Sequence, residues 1–247
     1  MKLSVIIITK NNSNTIINCL NSVKKADEII LVDDFSTDKT VNLAKKYTDK
    51  IYQHRLTTFA SQRFWASQKA NGDWLLFLDA DEKITPNGWQ EIKARIKQKL
   101  HTAYRFQRLN HFYGKKIKHG GYWPDYQIRL FKRTALKGIK GATHEQYLFS
   151  GSLGTLCEPV MHFPDRSVKL GLYKSMIWTP KEAVALFKAG HPPITWWRLL
   201  KVMLSEFFFR YITKQGFRDG YIGFVESLTQ AINKFFIYQQ VWELQHQ

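Results

Sequence analysis

The feature that most constrains this sequence is the alternation of short apolar runs with helically spaced segments over its first hundred residues. Strand-like runs cover residues 3–8, 28–33, 50–54 and 74–78. The first two are rich in β-branched residues and do not alternate with polar ones, which is typical of strands buried on both faces of a parallel sheet. The segments between them carry apolar residues at helical spacing. This rhythm predicts an α/β fold, a mostly parallel sheet flanked by helices.

Polar clusters follow three of these strands, at residues 9–12, 33–34 and 79–82. Ligands of doubly wound sheets bind beyond the carboxyl ends of the strands. We therefore expect the three clusters, which are far apart in the sequence, to line one crevice.

The chain carries a formal net charge of +17, and the charge is unevenly spread. Residues 93–140 hold fourteen Lys and Arg against one acid, Asp125. Such a block should attract phosphate groups, whether on a nucleic acid, an anionic lipid or a phosphorylated substrate. The two cysteines, Cys19 and Cys157, are too few for a disulfide framework and predict reduced thiols.

The pattern changes near residue 101. Residues 104–109 and 127–131 read as strands, and a segment with two adjacent glycines, 119–125, separates them. From about residue 167 the chain reads as helical and rich in aromatics. We predict a catalytic domain over residues 1–166 and a C-terminal helical extension over 167–247.

Asp79-Ala80-Asp81 is the sharpest local signal. Two carboxylates at a strand end can hold a hard divalent cation, which can in turn bridge a diphosphate. Such a metal acts as a Lewis acid on a leaving nucleoside diphosphate. A solvated acidic turn is the alternative interpretation.

Three motifs together resemble the inverting glycosyltransferases of family 2, which have a GT-A fold. They are Val5-Ile-Ile-Ile-Thr-Lys-Asn-Asn12, Ile30-Leu-Val-Asp-Asp-Phe-Ser-Thr-Asp38 and Leu76-Phe-Leu-Asp-Ala-Asp-Glu82. The resemblance implies a GT-A type, Rossmann-like sheet and a nucleotide-sugar donor.

Later motifs resemble one branch of that family, the lipopolysaccharide-core β-1,4-glucosyltransferase-like enzymes. They are the segment from His119 to Phe131, Thr143-His-Glu145 and Met161-His162. The branch implies a UDP-sugar donor, UDP-glucose or a similar hexose, and a lipopolysaccharide-core or related lipid-linked glycan as acceptor.

The family pattern also implies nucleotide-binding roles at matching positions. Thr9 and Asn11 fall where the family lines the base and ribose, and Asp34 matches an acid that meets the uracil. Arg63 matches a basic residue that reaches the nucleotide, and an arginine near phosphate is chemically suitable. Asn12 departs from the acidic residue that is common there.

The resemblance implies a metal shell made of Asp79, Asp81 and His162, with Asp81 the stronger candidate for direct ligation. Imidazole beside carboxylate suits Mn²⁺ at least as well as Mg²⁺. Arg129 is a candidate for the diphosphate, and an ion pair at the edge of the core is the alternative.

An inverting transfer needs one general base to deprotonate the acceptor hydroxyl. Glu145 falls where the family places its base, and Asp125 follows the glycine segment. We favour Glu145 and keep Asp125 as the second candidate; a structural ion pair with an arginine such as Arg129 is the alternative for either.

The C-terminal segments 196–201 and 207–212 put aromatics beside cations, as in helices that lie in the headgroup region of a membrane. No signal peptide is evident, and no stretch approaches the ~20 apolar residues of a transmembrane helix. We expect a cytoplasmic protein with peripheral contact to the inner membrane; a helical cap over the sheet is the alternative.

Three other functions compete with this hypothesis. A polyprenyl-phosphate glycosyltransferase would keep the fold but change the acceptor. A non-enzymatic nucleic-acid-binding protein would suit the basic charge and the aromatic content, but it leaves the acidic motifs unexplained, so we expect no nucleic acid. A catalytically inactive sugar-binding scaffold is disfavoured by Asp79, Asp81 and Glu145.

Overall fold

The computed structural model describes residues 1–141, 145–164 and 167–247. Contacts between residues divide the chain into two compact units. The first, which we call the sheet unit, comprises Met1–Leu109 and Asp125–Phe163. The second, the helical unit, comprises Asn110–Pro124 and Pro164–Gln247. The predicted boundary at residues 166 and 167 stays a prediction, because Arg166 lies outside the described residues.

Twelve strands are formed by the described residues. In chain order they are β1 Leu3–Thr9, β2 Glu28–Asp33, β3 Ile51–Gln53, β4 Trp74–Asp79, β5 Glu82–Ile84, β6 Ala103–Phe112, β7 Lys115–Ile117, β8 Tyr126–Lys132, β9 Leu136–Lys140, β10 Gln146–Phe149, β11 Leu153–Thr155 and β12 Val160–His162. The sequence predicted β1 to β4, β6 and β8 at nearly these positions.

Seven α-helices accompany these strands in the described part of the chain. They are α1 Ile16–Val23, α2 Thr40–Ala44, α3 Phe59–Ser67, α4 Pro86–Gln98, α5 Val168–Lys188, α6 Trp196–Phe208 and α7 Gly220–Gln245. A π-helical turn, Phe209–Thr213, and a 3₁₀ turn, Gly216–Asp219, connect α6 to α7.

The main sheet runs in the order β3-β2-β1-β4-β8-β6-β12-β5, with β7 and β11 also paired to β6. The strands β3, β2, β1 and β4 are parallel to one another. In this register Thr9 lies opposite Asp33 and Ile8 lies opposite Asp79. The carboxyl ends of β1, β2 and β4 therefore meet at one edge, as the sequence predicted.

Beyond β4 the pairing changes direction. β8 is antiparallel to both β4 and β6, and β12 is antiparallel to β5. The fold is thus a mixed α/β sheet flanked by helices with a helical region after it, and the predicted fold class is confirmed. The antiparallel half is a finding of the structure, since the sequence indicated the strands but not their partners.

Both faces of the sheet are buried, which explains the uninterrupted apolar runs. Val5 and Ile7 of β1 belong to a core cluster that includes residues of α1 and α4. Ile6 and Ile8 point to the opposite face and share a cluster with residues of α3. Each such side chain contributes about 1.5–3 kcal/mol when it is fully buried. These two cores fix the strand ends that carry the candidate site.

The helical unit has a small core of its own. Ala183 of α5 and Ile194 pack with Ile237 and Val241 of α7. No helix among the described residues is long and apolar enough to cross a membrane.

The glycine-containing segment 119–122 belongs to the helical unit and is held there by buried acids. The backbone amide and Nδ1 of His119 both lie 2.8–2.9 Å from carboxylate oxygens of Asp219. The Tyr122 hydroxyl donates to Glu226 Oε2 at 2.9 Å. Gly120 and Gly121 both have positive φ, which suits glycine at this turn.

Candidate active site

The loops after β1 and β2 are tied together by side-chain hydrogen bonds. The backbone amide of Asn11 donates to Ser36 Oγ at 2.9 Å, and Asn11 Oδ1 accepts from the Thr37 amide at 2.8 Å. Asn11 adopts φ +52 and Phe35 adopts φ +51, which are uncommon for residues other than glycine. The first two predicted polar clusters therefore form one continuous turn surface.

Thr9 lies at the end of β1 and is buried. Its hydroxyl donates to Asn12 Oδ1 at 3.0 Å, and its carbonyl accepts from the Asp34 amide at 2.9 Å. The structure thus places Thr9, Asn11 and Asp34 together, and it shows Thr9 and Asn11 bracing the turn.

Asp34 accepts two hydrogen bonds through its carboxylate. Lys10 Nζ lies 2.7 Å from Oδ2, and the Leu56 amide lies 3.0 Å from Oδ1. Burial alone would raise the pKa of Asp34, but these donors hold it below its ordinary value. Asp34 is therefore an ionised acceptor at the edge of the crevice.

Asp79, the last residue of β4, is bound by two buried arginines. Arg63 from α3 contacts Oδ1, and Arg129 NH2 from β8 lies 2.8 Å from Oδ2. Both arginine side chains are only 5–6% exposed. The sequence indicated a nucleotide-binding role for Arg63 and Arg129; the structure shows both bound to carboxylates of the protein, while the buried Nε of Arg129 has no partner among the described residues.

Glu145 completes this ion cluster. Arg63 NH1 contacts Glu145 Oε2, and Arg129 NH1 lies 3.9 Å from the same oxygen. The Tyr147 hydroxyl donates to that oxygen at 3.1 Å. The ion pair considered for Glu145 is therefore present, and it joins Glu145 to Asp79 through Arg63.

The carboxyls at the end of β4 differ in their electrostatic surroundings. Burial alone would raise the pKa of Asp79, but the guanidinium groups of Arg129 and Arg63 hold it well below its ordinary value. Burial and the nearby charge of Asp79 raise the pKa of Glu82. Asp79 is the anion that the cluster stabilises, whereas Glu82 is disfavoured as an anion.

Glu82 and Tyr147 are residues of this site that sequence analysis did not assign. Glu82 is 2% exposed, and its Oε2 accepts from the Asp79 amide at 3.0 Å. Burial raises the pKa of Tyr147, which lies between Arg63 and Glu145. An acid directly after the Asp-x-Asp motif was a signal for Glu82, but the sequence gives no comparable signal for Tyr147.

Asp81 lies apart from this cluster and faces a histidine. His162 is the last residue of β12, which pairs with β5 so that His162 lies opposite Glu82. The Phe163 amide donates to the Asp81 carbonyl at 2.8 Å, and His162 Nε2 lies 3.3 Å from Asp81 Oδ2. Residues 81 positions apart in the sequence thus meet at the predicted metal position.

The Asp81–His162 pair has the spacing of two ligands of one divalent cation. Two donor atoms at adjacent corners of an octahedron, each about 2.1 Å from the metal, lie roughly 3 Å apart. Among the described residues no group of three or more His, Cys, Asp or Glu side chains is arranged around a metal position. Asp79, the third predicted ligand, instead gives both carboxylate oxygens to arginines. Among the described residues, Asp81 and His162 are the two side chains placed to hold a cation here.

Asp125 and Glu145, the two predicted bases, have different surroundings. Asp125 Oδ2 accepts from Arg108 at 2.7 Å, and Oδ1 accepts from Gln127 at 2.7 Å, so both oxygens are occupied. The contacts of Glu145 with the described residues all use Oε2, which leaves Oε1 without a partner there. Thr143 and His144 of the same motif lie outside the described residues.

The chain is similar in sequence to known glycosyltransferases. Residues 4–152 match the model of the family described as "Glycosyl transferase family 2". An uncharacterized glycosyltransferase of Rickettsia bellii is 30% identical, over 98% of this chain and 87% of the relative. The lipopolysaccharide core biosynthesis glycosyltransferase LpsC of Rhizobium meliloti is 23% identical, over 98% of this chain and 93% of the relative.

Solved structures share the fold. The S. aureus protein TarS, solved over residues 1–349 in complex with UDP, superposes with a TM-score of 0.51 at 16% identity. The match covers 100% of this chain and 92% of that one. Because the family model matches more than half of the sequence, the chain belongs to glycosyl transferase family 2, and it has a GT-A-like fold.

Proposed function

We propose that this chain is an inverting transferase that moves a hexose, glucose in the first instance, from a UDP-sugar to a lipopolysaccharide-core or related lipid-linked glycan. LpsC is named for lipopolysaccharide core biosynthesis, and TarS has been solved with UDP. The observation that carries the proposal is the approach of Asp81 to His162 at the same sheet edge as Asp34.

In this proposal the nucleotide lies across the ends of β1, β2 and β4. Asp34 accepts from the uracil, and the turn that Thr9 and Asn11 brace lies against the base and ribose. Asp81 and His162 would hold Mn²⁺ or Mg²⁺, which would supply positive charge to the leaving diphosphate. Arg63 and Arg129 contribute by fixing the carboxylates of Asp79 and Glu145 at this edge of the sheet.

Glu145 acts as the general base in this proposal. The acceptor hydroxyl oxygen bonds to the anomeric carbon while the bond from that carbon to the diphosphate oxygen breaks. The proton goes to the carboxylate, the configuration inverts and UDP leaves with the bonding electrons. Oε1 of Glu145, which no described residue contacts, supports Glu145 over Asp125, because a base must have an oxygen within reach of the hydroxyl.

Donor binding tests the first part of the proposal. UDP should raise the melting temperature of the protein when Mn²⁺ or Mg²⁺ is present, and Asp81→Asn and His162→Ala should each weaken metal-dependent UDP binding at least tenfold. Lys188→Ala on α5 is the matched control and should bind like the wild type. UDP affinity that is unaffected by metal and by both site substitutions would contradict this assignment.

Turnover tests the base. Glu145→Gln should lower transfer at least 10²-fold while it keeps most of the UDP affinity, since general-base catalysis contributes typically 10²–10⁴-fold. Asp125→Asn should leave most of the activity in place. Full transfer by Glu145→Gln, or loss of transfer only in Asp125→Asn, would identify Asp125 as the base.

Salt-sensitive RNA binding without UDP affinity would instead favour the nucleic-acid hypothesis.

We also propose that α6 contacts a membrane surface peripherally. Trp196 is 76% exposed, Leu204 and Phe208 are also exposed, and Arg198 and Lys201 lie on the same helix. Apolar residues beside cations suit an anionic headgroup region. Trp196→Ser with Leu204→Ser should reduce co-sedimentation with phosphatidylglycerol vesicles several-fold; equal sedimentation would refute membrane contact by α6.

A further inference from the structure

A polar cavity of about 300 Å³ lies within the helical unit and is lined by residues of α5, α6, the π-helical turn and α7. The lining includes two cations, three uncharged polar side chains and one indole ring: Lys174, Lys234, Ser175, Gln230, Asn233 and Trp178. Small-molecule sites in proteins span roughly 300–1,000 Å³. The cavity is therefore of a size for one sugar unit rather than for a nucleotide sugar.

The charges of the cavity favour an anion. Arg210 and Glu206 neutralise one another, since Arg210 Nε lies 2.6 Å from Glu206 Oε1. The remaining charged lining groups are two ammonium groups, those of Lys174 and Lys234, and one carboxylate, that of the exposed Glu182. Neither lysine forms an ion pair with any residue that the structure describes. Two ammonium groups that line one cavity, Lys174 from α5 and Lys234 from α7, attract a phosphate or a carboxylate.

The uncharged lining groups suit hydroxyls. Gln230 Nε2 donates to the Tyr122 hydroxyl at 3.2 Å, and its carbonyl oxygen has no partner among residues 1–141, 145–164 and 167–247. Ser175 Oγ donates to Asn233 Oδ1 at 2.7 Å, and Nδ2 of Asn233 has no partner among the described residues. Each amide thus keeps one polar atom for a ligand, and an amide can serve as donor or acceptor to a sugar hydroxyl.

Trp178 adds an apolar surface to this polar lining. Its ring is half-buried, and Lys181 Nζ lies 4.5 Å from the ring centroid. A pyranose has an apolar C–H face and a rim of hydroxyls, so a flat aromatic ring beside amides matches both of its surfaces. This combination distinguishes the cavity from a simple phosphate site, where an indole contributes little.

We propose that this cavity binds an anionic saccharide unit of the acceptor glycan, with the sugar ring against Trp178 and its phosphate or carboxylate on Lys174 and Lys234. The inference rests on the proposed function, because an acceptor saccharide is the ligand that a glycosyltransferase must hold besides its donor. It assigns a saccharide-binding role to the helical unit.

Calorimetric titration of the full chain with four probes tests the ligand class. Glucose 6-phosphate and glucuronate are the anionic sugars, and glucose and inorganic phosphate are the separated parts. At least one anionic sugar should bind tenfold or more tightly than either part, and which of the two binds identifies the anionic group. Binding of none of them, or phosphate binding as tightly as glucose 6-phosphate, would overturn the proposal.

Variants then locate the binding. Lys174→Ala with Lys234→Ala should weaken anionic-sugar binding at least tenfold, and Trp178→Ala should weaken it without abolishing the preference for an anion. Lys188→Ala removes a lysine from the same helix outside the cavity and should have no effect. Undiminished binding by the double lysine variant would refute the site.

The same preparations are titrated with UDP and Mn²⁺, so the two proposals can fail separately. Absence of UDP binding with anionic-sugar binding intact would refute the proposed donor chemistry alone. UDP binding without anionic-sugar binding would refute the cavity assignment alone.

Discussion

The substitution Asp79→Asn tests the ion cluster at the end of β4. Asp79 offers one negative charge to two buried guanidinium groups, those of Arg63 and Arg129. Asparagine keeps the shape but removes the charge, which leaves both arginines with only Glu145 and the disfavoured anion Glu82. Breaking a buried ion pair from one side costs about 3–5 kcal/mol. Because the Asp79 side chain is 23% exposed, we expect the lower end, about 3 kcal/mol.

Urea unfolding at neutral pH, followed by tryptophan fluorescence, measures this loss as a change in the free energy of unfolding. Asp81→Asn is the control within the same loop. Its carboxylate pairs with His162 and is 27% exposed, so its removal should cost less than about 1 kcal/mol. A free energy of unfolding for Asp79→Asn within about 1 kcal/mol of the wild type would refute the reasoning.

The pH dependence follows from the direction of the pKa shift. A carboxyl whose pKa is lowered by folding stabilises the protein above its unfolded pKa of about 3.9, and the stabilisation is lost as the pH falls through the folded value. The pKa of Asp79 is lowered by its arginines. The difference between wild type and Asp79→Asn should therefore be constant from about pH 5 to 8 and shrink below about pH 4.

Three further predictions concern stability. Burial alone would raise the pKa of Glu28, but hydrogen bonds led by that from Lys50 lower it from 4.5 to about 2. Because Lys50 is exposed and screened by solvent, Glu28→Gln should cost about 1–2 kcal/mol at neutral pH, a gap that closes as the pH falls from about 4 to 2 in acid titrations of unfolding. In the helical unit, a Cβ at Gly223 would lie 1.8 Å from the Gly216 carbonyl oxygen. Gly223→Ala should therefore lower stability by about 3 kcal/mol. Gly171→Ala in α5, where a Cβ meets nothing within 4 Å, should instead gain about 0.5–1 kcal/mol in thermal melts.

The crevice could be predicted from the sequence because it depends on local pattern and one topological rule. The buried run of β1 and the polar residues after it are adjacent in the chain, so a strand end and its cluster are recognised together. Parallel pairing then places the ends of β1, β2 and β4 side by side. No long-range partner had to be known beforehand.

The organisation of residues 110–124 could not be predicted in this way. This segment contains the end of β6 and all of β7, and its residues His119 and Tyr122 contact residues about a hundred positions later. Asp219 and Glu226 bind it from the turn before α7 and from α7 itself. Hydrophobic periodicity indicates which face of an element is buried. It does not indicate which distant carboxylate accepts a hydrogen bond from a given backbone amide.

The separate roles of Asp79 and Asp81 show the same limit at the candidate site. In the sequence the two acids are equivalent members of one Asp-x-Asp motif. They diverge because Arg63 and Arg129 converge on Asp79 from α3 and from the antiparallel strand β8, whereas β12 delivers His162 to Asp81. Two guanidinium groups that neutralise one carboxylate remove it as a ready metal ligand, because a cation would have to displace both. We therefore propose that Asp79 stabilises the fold and that Asp81 binds the cation. On this proposal Asp79→Asn should act on unfolding and Asp81→Asn on metal-dependent UDP binding.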